Sequence, residues 1–185
     1  MKKTIILFGL LFSVIGYSQE DNPKTTFGFK AGVNFSNLHY DFGAAETKNQ
    51  DIFVISSTNA FGGFYANFPL NEKLSIQPEL LASYSEDFIF AEIPLHLNYK
   101  LGKKLDLVFG PKMSYIVDEE HGNTFFSTRS AVSFDVGLKY WLTSKLSLEA
   151  IYSLGITSQK EHSISDLQRN KYYRNEFRVS LGYRF

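Results

Sequence analysis

Eight separate stretches of this chain alternate apolar and polar residues with a period of two, and that repetition leaves few folds open. Successive side chains of a β-strand point to opposite faces, so each stretch is predicted to be a strand with one greasy and one polar side. The last is the plainest: Phe177, Val179, Leu181, Tyr183 and Phe185 interleave with Arg178, Ser180, Gly182 and Arg184. The runs Leu146 to Leu154, Val132 to Tyr140, Leu105 to Tyr115, Ile93 to Tyr99, Leu74 to Tyr84, Gly63 to Phe68 and Phe27 to Ser36 read the same way. No helical period competes with them beyond the first residues of the chain.

The connections between the runs alternate in length. Three are short and nearly identical: Leu70-Asn71-Glu72-Lys73-Leu74, Leu101-Gly102-Lys103-Lys104-Leu105 and Leu142-Thr143-Ser144-Lys145-Leu146 all read Leu-x-x-Lys-Leu. Short polar turns between alternating runs signal β-hairpins. Between them fall longer polar segments, roughly Asp41 to Thr58, Asp118 to Arg129 and Thr157 to Lys171, with Ser85 to Phe90 a shorter member of that set. Short turns on one rim and long loops on the other predict an all-β fold, an eight-stranded antiparallel up-and-down transmembrane β-barrel.

The beginning of the chain bears on where such a barrel would go. Lys2 and Lys3 precede a twelve-residue apolar stretch from Thr4 to Ile15, and Gly16-Tyr17-Ser18 offers small residues at a cut before Gln19. This is the layout of a secretory signal peptide over residues 1–18, leaving 19–185 as the barrel domain. The stretch is too short to span a bilayer as a helix, which takes about 20 residues. Removing Lys2 and Lys3 with the leader leaves 17 basic and 19 acidic residues. That balance argues against nucleic-acid binding, which needs a basic surface. The chain has no cysteine, which excludes disulfides, cysteine metal sites and a lipid-modified N-terminal cysteine.

Alternation alone does not say which face points inward, because a soluble barrel would bury the apolar side. Two features choose. The polar face carries many small residues, among them Gly28, Gly32, Gly63, Gly110, Gly137, Gly182, Ser133 and Ser147, which suit the narrow interior of an eight-stranded barrel. Its charges also balance: Lys30, Lys112, Lys139 and Arg178 meet Glu79, Glu92, Asp106, Asp135 and Glu149, with His96 on the same side. Buried charges need partners, so these ten residues are predicted to form a structural polar network in a closed lumen. The opposite face is nearly free of charge, and Tyr84, Tyr99, Tyr115, Tyr140, Tyr183 and Phe185 cluster near strand ends as interfacial girdles would.

Phe27-Gly28-Phe29-Lys30-Ala31-Gly32-Val33-Asn34-Phe35-Ser36 resembles the opening strand of the PorT-like outer-membrane β-barrel family of gram-negative bacteria. Lys73 to Leu80 and Glu92 to Lys100 look like its third and fourth strands, and the ending Leu181-Gly182-Tyr183-Arg184-Phe185 is similar too. The resemblance spans about Thr25 to Phe185. It implies an outer-membrane barrel and assigns no settled activity.

Catalytic and metal chemistry is weakly represented. His39, His96, His121 and His162 lack zinc-ligand spacing. Ser114, His96 and Glu92 are polar-face candidates for a nucleophile, base and orienting acid, with nothing to fix their relative heights. The acidic cluster Asp118-Glu119-Glu120-His121 reads as a solvated loop face before it reads as a cation site. Pro78 and Pro94 fall inside strand runs and predict bulges or gaps in the ladder. No cofactor or enzyme activity is expected. The expected partners are outer-membrane lipid, the barrel-assembly machinery during insertion, and a loop ligand of unknown identity. A structural or interaction role through the loops is the leading expectation. A small selective transporter, a component of a secretion or uptake complex, and a barrel enzyme acting on lipid or peptide are the alternatives.

Overall fold

The computed structural model describes residues 24–41, 55–84, 88–119, 129–157, 159–160 and 171–185. The predicted leader lies outside them, as do Glu120, His121 and His162. The strands are β1 (Thr26–Asp41), β2 (Ile55–Pro69), β3 (Leu74–Tyr84), β4 (Phe88–Lys100), β5 (Leu105–Glu119), β6 (Ser130–Trp141), β7 (Leu146–Gly155), β8 (Gln159–Lys160) and β9 (Lys171–Arg184). Each long strand pairs antiparallel with its neighbours in sequence, and β1 pairs with β9 to close the wall. The fold is therefore a closed eight-stranded up-and-down barrel. The two-residue β8 adds a short extension to β9, at Tyr172 and Lys171.

The three Leu-x-x-Lys-Leu segments make three copies of one turn. In each, the first leucine and the residue after it both donate backbone N–H groups to the carbonyl of the last leucine: Leu70 and Asn71 to Leu74, Leu101 and Gly102 to Leu105, Leu142 and Thr143 to Leu146. Side chains brace two of them. Asn71 Oδ1 accepts from the amides of Lys73 and Leu74, and Thr143 Oγ1 accepts from those of Lys145 and Leu146. Such local acceptors are the reason Asn and Thr favour turns.

At the other rim the strands run further than hydropathy suggests. The segments expected to be loops give up Ile55 to Thr58 to β2, Phe88 to Phe90 to β4 and Asp118 to Glu119 to β5. The apolar alternation ends where lipid contact would end, but the backbone ladder does not need it, and pairing continues beyond.

Neighbouring residues around the wall, from Thr26 through Asn67, Gln77, His96, Gly110, Asp135, Ser153 and Glu176, lead back to β1 at Ser36. The wall thus closes with a stagger of ten residues, Thr26 to Ser36. A ten-residue offset over eight strand spacings tilts the strands by about 40° and gives a backbone radius of about 8 Å. That interior has room for side chains and little else.

The apolar face points outward. Leu148 and Phe134 are 40% and 39% exposed, while Asp135 and Lys139 are 0% and 1% exposed. The six aromatics expected at strand ends all project outward as exposed residues. The lumen is less uniformly polar than the alternation suggests: Phe61, Tyr65, Leu81, Val108, Ile116 and Ile151 are buried among its charges.

Three prolines interrupt three adjacent ladders. Pairing lapses between β2 and β3 beside Pro78, between β3 and β4 beside Pro94, and between β4 and β5 beside Pro111. A proline has no N–H to donate. The register is the same on both sides of each lapse, so these are gaps and not bulges. The one register shift lies elsewhere, between Ile89 and Phe90. Gly110, next to Pro111, sits at φ 155°, and a Cβ there would stand 2.1 Å from the Leu95 carbonyl oxygen. Gly110→Ala is expected to lower unfolding free energy by about 1–3 kcal/mol, read as an earlier urea midpoint of the heat-modifiable gel band. An unchanged midpoint would show that the wall relaxes there at no cost.

Candidate functional site

The candidate site is the polar lumen, and alternation places it. On every long strand, residues of one parity point inward. β1 supplies Lys30 and Asn34, β3 supplies Gln77 and Glu79, β4 supplies Glu92, His96 and Asn98, and β5 supplies Lys112. Asp135 and Lys139 come from β6, Glu149 from β7, and Glu176 and Arg178 from β9.

All of these groups except Asn34 form one connected chain of contacts. Near the turn end, Lys30 Nζ lies 2.7 Å from Glu79 Oε1 and 2.5 Å from Glu149 Oε2. Lys139 Nζ is 3.2 Å from Glu149 Oε1 and donates to Gln77 Oε1 at 2.8 Å. Gln77 in turn donates to Glu79 at 2.6 Å. In the middle, His96 bridges two carboxylates, with Nδ1 3.0 Å from Glu79 Oε1 and Nε2 2.9 Å from Asp135 Oδ2. Carboxylates accept and do not donate, so this geometry suits a proton on each ring nitrogen. Toward the loop end, Arg178 pairs with Asp135 and, at 3.3 Å, with Glu92. Lys112 pairs with Glu176, and Arg174 lies 2.6 Å from Glu176 and 3.8 Å from Glu92.

The buried apolar rings are part of the same design. Arg174 stacks 3.9 Å above the Phe90 ring, Arg178 lies 5.7 Å from Phe61, and Lys30 and Lys139 sit 5.6 Å and 5.8 Å from Tyr65. A cation over an aromatic face gains from the ring quadrupole, most when both are desolvated. Tyr65 fits because Gly28 faces it: a Cβ on Gly28 would lie 2.4 Å from the phenol ring. Some polar atoms stay without a protein partner, among them both amide atoms of Asn34 and the hydroxyls of Ser83 and Ser153.

Nine of the ten predicted network residues meet in this chain: Lys30, Glu79, Glu92, His96, Lys112, Asp135, Lys139, Glu149 and Arg178. Asp106 does not. It lies nearer the turn rim and accepts a hydrogen bond from Trp141 Nε1 at 2.8 Å. Parity alone put it with the others, and its height along β5 separates it. Sequence reading missed Arg174, Glu176, Gln77 and Trp141. The first two continue the inward parity of Arg178 along β9, and a longer reading of that strand would have found them.

The three catalytic candidates do not assemble. Glu92 and Ser114 face each other across β4 and β5, but the ring nitrogens of His96 go to Glu79 and Asp135. Among the described residues no group of His, Asp and Glu side chains is arranged to hold a metal ion. What the arrangement does is fill the lumen with five lysine and arginine cations, Lys30, Lys112, Lys139, Arg174 and Arg178, and His96 between Glu79 and Asp135, against five carboxylates, Glu79, Glu92, Asp135, Glu149 and Glu176, each within ion-pair distance of an opposite charge.

No curated protein matches the chain in sequence. Solved barrels are similar to it in fold. Neisserial surface protein A matches at 13% identity over 85% of this chain and 97% of its own, with a TM-score of 0.49. OprG from Pseudomonas aeruginosa matches at 12% identity over 89% and 97%, with a TM-score of 0.47. Ail, the attachment invasion locus protein of Yersinia pestis, matches at 13% identity over 88% and 100%, with a TM-score of 0.44. The family model described as outer membrane protein beta-barrel domain matches residues 5–185, and with eight outward-greasy strands closed around a charged centre, the chain belongs to that family of outer-membrane barrels.

Proposed function

We propose that this barrel is a closed structural anchor of the outer membrane, working through the recognition chemistry of its loops and catalysing no reaction. The observation that carries the reading is the ion-paired lumen. Five lysine and arginine cations, His96 and five carboxylates fill the space inside a wall of about 8 Å backbone radius, and a diffusing solute would have to break several of those pairs. Barrels that leave an aqueous channel have about 16–18 strands. Within the family we place the chain with the PorT-like members, on the strand segments noted above. Residues 1–18 would direct export. An even strand number puts both termini and the three short turns on one side, here the periplasm, and the long connections outside the cell. Outer-membrane lipid and the barrel-assembly machinery are its general partners. The loop-bound partner would define its role.

Two measurements test this. Planar bilayers containing the purified protein should show no steady conductance above the lipid baseline, and cell fractionation should recover a heat-modifiable band in the outer membrane. Stable ion-conducting steps would replace the anchor reading with transport. Recovery in the soluble periplasmic fraction, with no mobility shift on boiling, would end the membrane reading itself.

A further inference from the structure

We propose that the turn-side mouth of the barrel is a binding site for a phosphate-bearing ligand that also carries hydroxyl groups. The inference uses the fold alone and holds whichever side of the membrane the turns face. On the turn side of Lys139 and Gln77 the lumen opens into a cavity of about 440 Å³, the size of a small-molecule site. Lys24, Lys100, Lys103, Lys104 and Arg184 line it, and Asp106 is the one carboxylate among its lining residues. Asp106 is already engaged by Trp141.

The mouth differs from the lumen above in the sign of its charge, and it is this excess of positive charge around a cavity that points to a ligand. In the lumen, every cation has a carboxylate within 4 Å or less. Here Lys24, Lys100, Lys103 and Lys104 are exposed and Arg184 is half-buried, and among the described residues none of the five forms an ion pair. Arg184 instead stacks on Trp141, its guanidinium 4.6 Å from the ring, and donates to the Ser144 carbonyl. A cleft lined by one sign of charge focuses its field on the space inside. Five cations against one carboxylate ask for more than one negative charge. A phosphate monoester brings about −1.5 to −2, with oxygens that match the arginine fork and lysine point charges together.

A second, independent feature concerns the rest of the ligand. Asn98, 2% exposed, lines the same cavity. Its Nδ2 donates to Gln77 Oε1 at 3.0 Å, which fixes the amide orientation, and its Oδ1 has no hydrogen-bond partner. A carbonyl oxygen only accepts, so it would be satisfied by a hydroxyl donor. Phosphate plus hydroxyls is the chemistry of glycerol phosphate, which free in solution is a monoester of that charge and in the headgroup of phosphatidylglycerol is a diester with a single negative charge. Leu101 and Leu142 are exposed at the turns beside the mouth, where a lipid headgroup could approach it.

The test uses the full chain refolded into neutral phosphatidylcholine nanodiscs and titrated with glycerol phosphate, followed by phosphorus NMR and by the fluorescence of Trp141, the single tryptophan. Saturable binding, tighter than that of inorganic phosphate, is expected. The paired change Lys100→Gln with Arg184→Gln should weaken it about tenfold or more. A second pair, Lys103→Gln with Lys104→Gln, sits on an exposed turn where folding is insensitive, and should weaken it as well. A Trp141 response only in nanodiscs containing phosphatidylglycerol, lost in the same variants, would assign the headgroup as the source. No response from either source, or binding unchanged in both paired variants, would overturn the proposal.

Discussion

Asp135→Leu is expected to lower the unfolding free energy of the membrane-inserted barrel by about 3–5 kcal/mol, because it leaves two buried donors facing nothing. Asp135 is the shared acceptor of Arg178 and His96 at the middle of the lumen. Removing one member of a buried charged pair costs far more than the net worth of the pair, since the desolvation of the survivor is no longer offset. Adding Arg178→Met to the leucine variant should therefore recover part of the loss, so that the double change costs less than the two singles together. Urea unfolding in lipid vesicles, read by Trp141 fluorescence, measures all three. If Asp135→Leu costs less than about 1 kcal/mol, as exposed positions do, the lumen charges are hydrated and the tightly paired interior is wrong.

The second large effect lies on the other face. Val136, exposed and near the middle of β6, should contact the centre of the bilayer. Val136→Arg is expected to cost about 2–4 kcal/mol, and Leu142→Arg, at the turn rim, about 0–1 kcal/mol, following the depth dependence of charge on a lipid-facing barrel surface. The gradient between the two matters more than either value. The same outward face surrounded by water would show none, because both side chains would be solvated. Equal costs at the two sites would contradict contact of this face with lipid.

The barrel was legible because its physics is local. Period two is written into nearly every strand, and the polar turns recur as Leu-x-x-Lys-Leu. The orientation also followed from particular residues: Gly28 and Gly137 make sense only where backbone or side chains press close, and Lys30 or Asp135 only where an opposite charge waits. What the sequence could not supply was height. Asp106 shares the parity of Lys112 but not its level, and only the ten-residue stagger of the wall decides which charges from different strands meet. The pairing of Glu92 with Ser114 was likewise invisible without register, as was the commitment of His96 to Glu79 and Asp135. Strand ends were misjudged because apolar alternation marks contact with lipid, while hydrogen bonding between strands continues past it at Ile55 and Glu119.

The proline gaps make the two sides of the barrel mechanically unequal. From β5 through β6, β7 and β9 to β1 and β2, the ladders between paired residues run without a lapse. From β2 to β5 each seam is unstitched beside Pro78, Pro94 or Pro111. Bilayer pressure on such a cylinder is borne by a stiff arc and yielded to by a compliant one. Small changes of cross-section would then be taken up by the proline arc, while the charges anchored on the opposite arc keep their places.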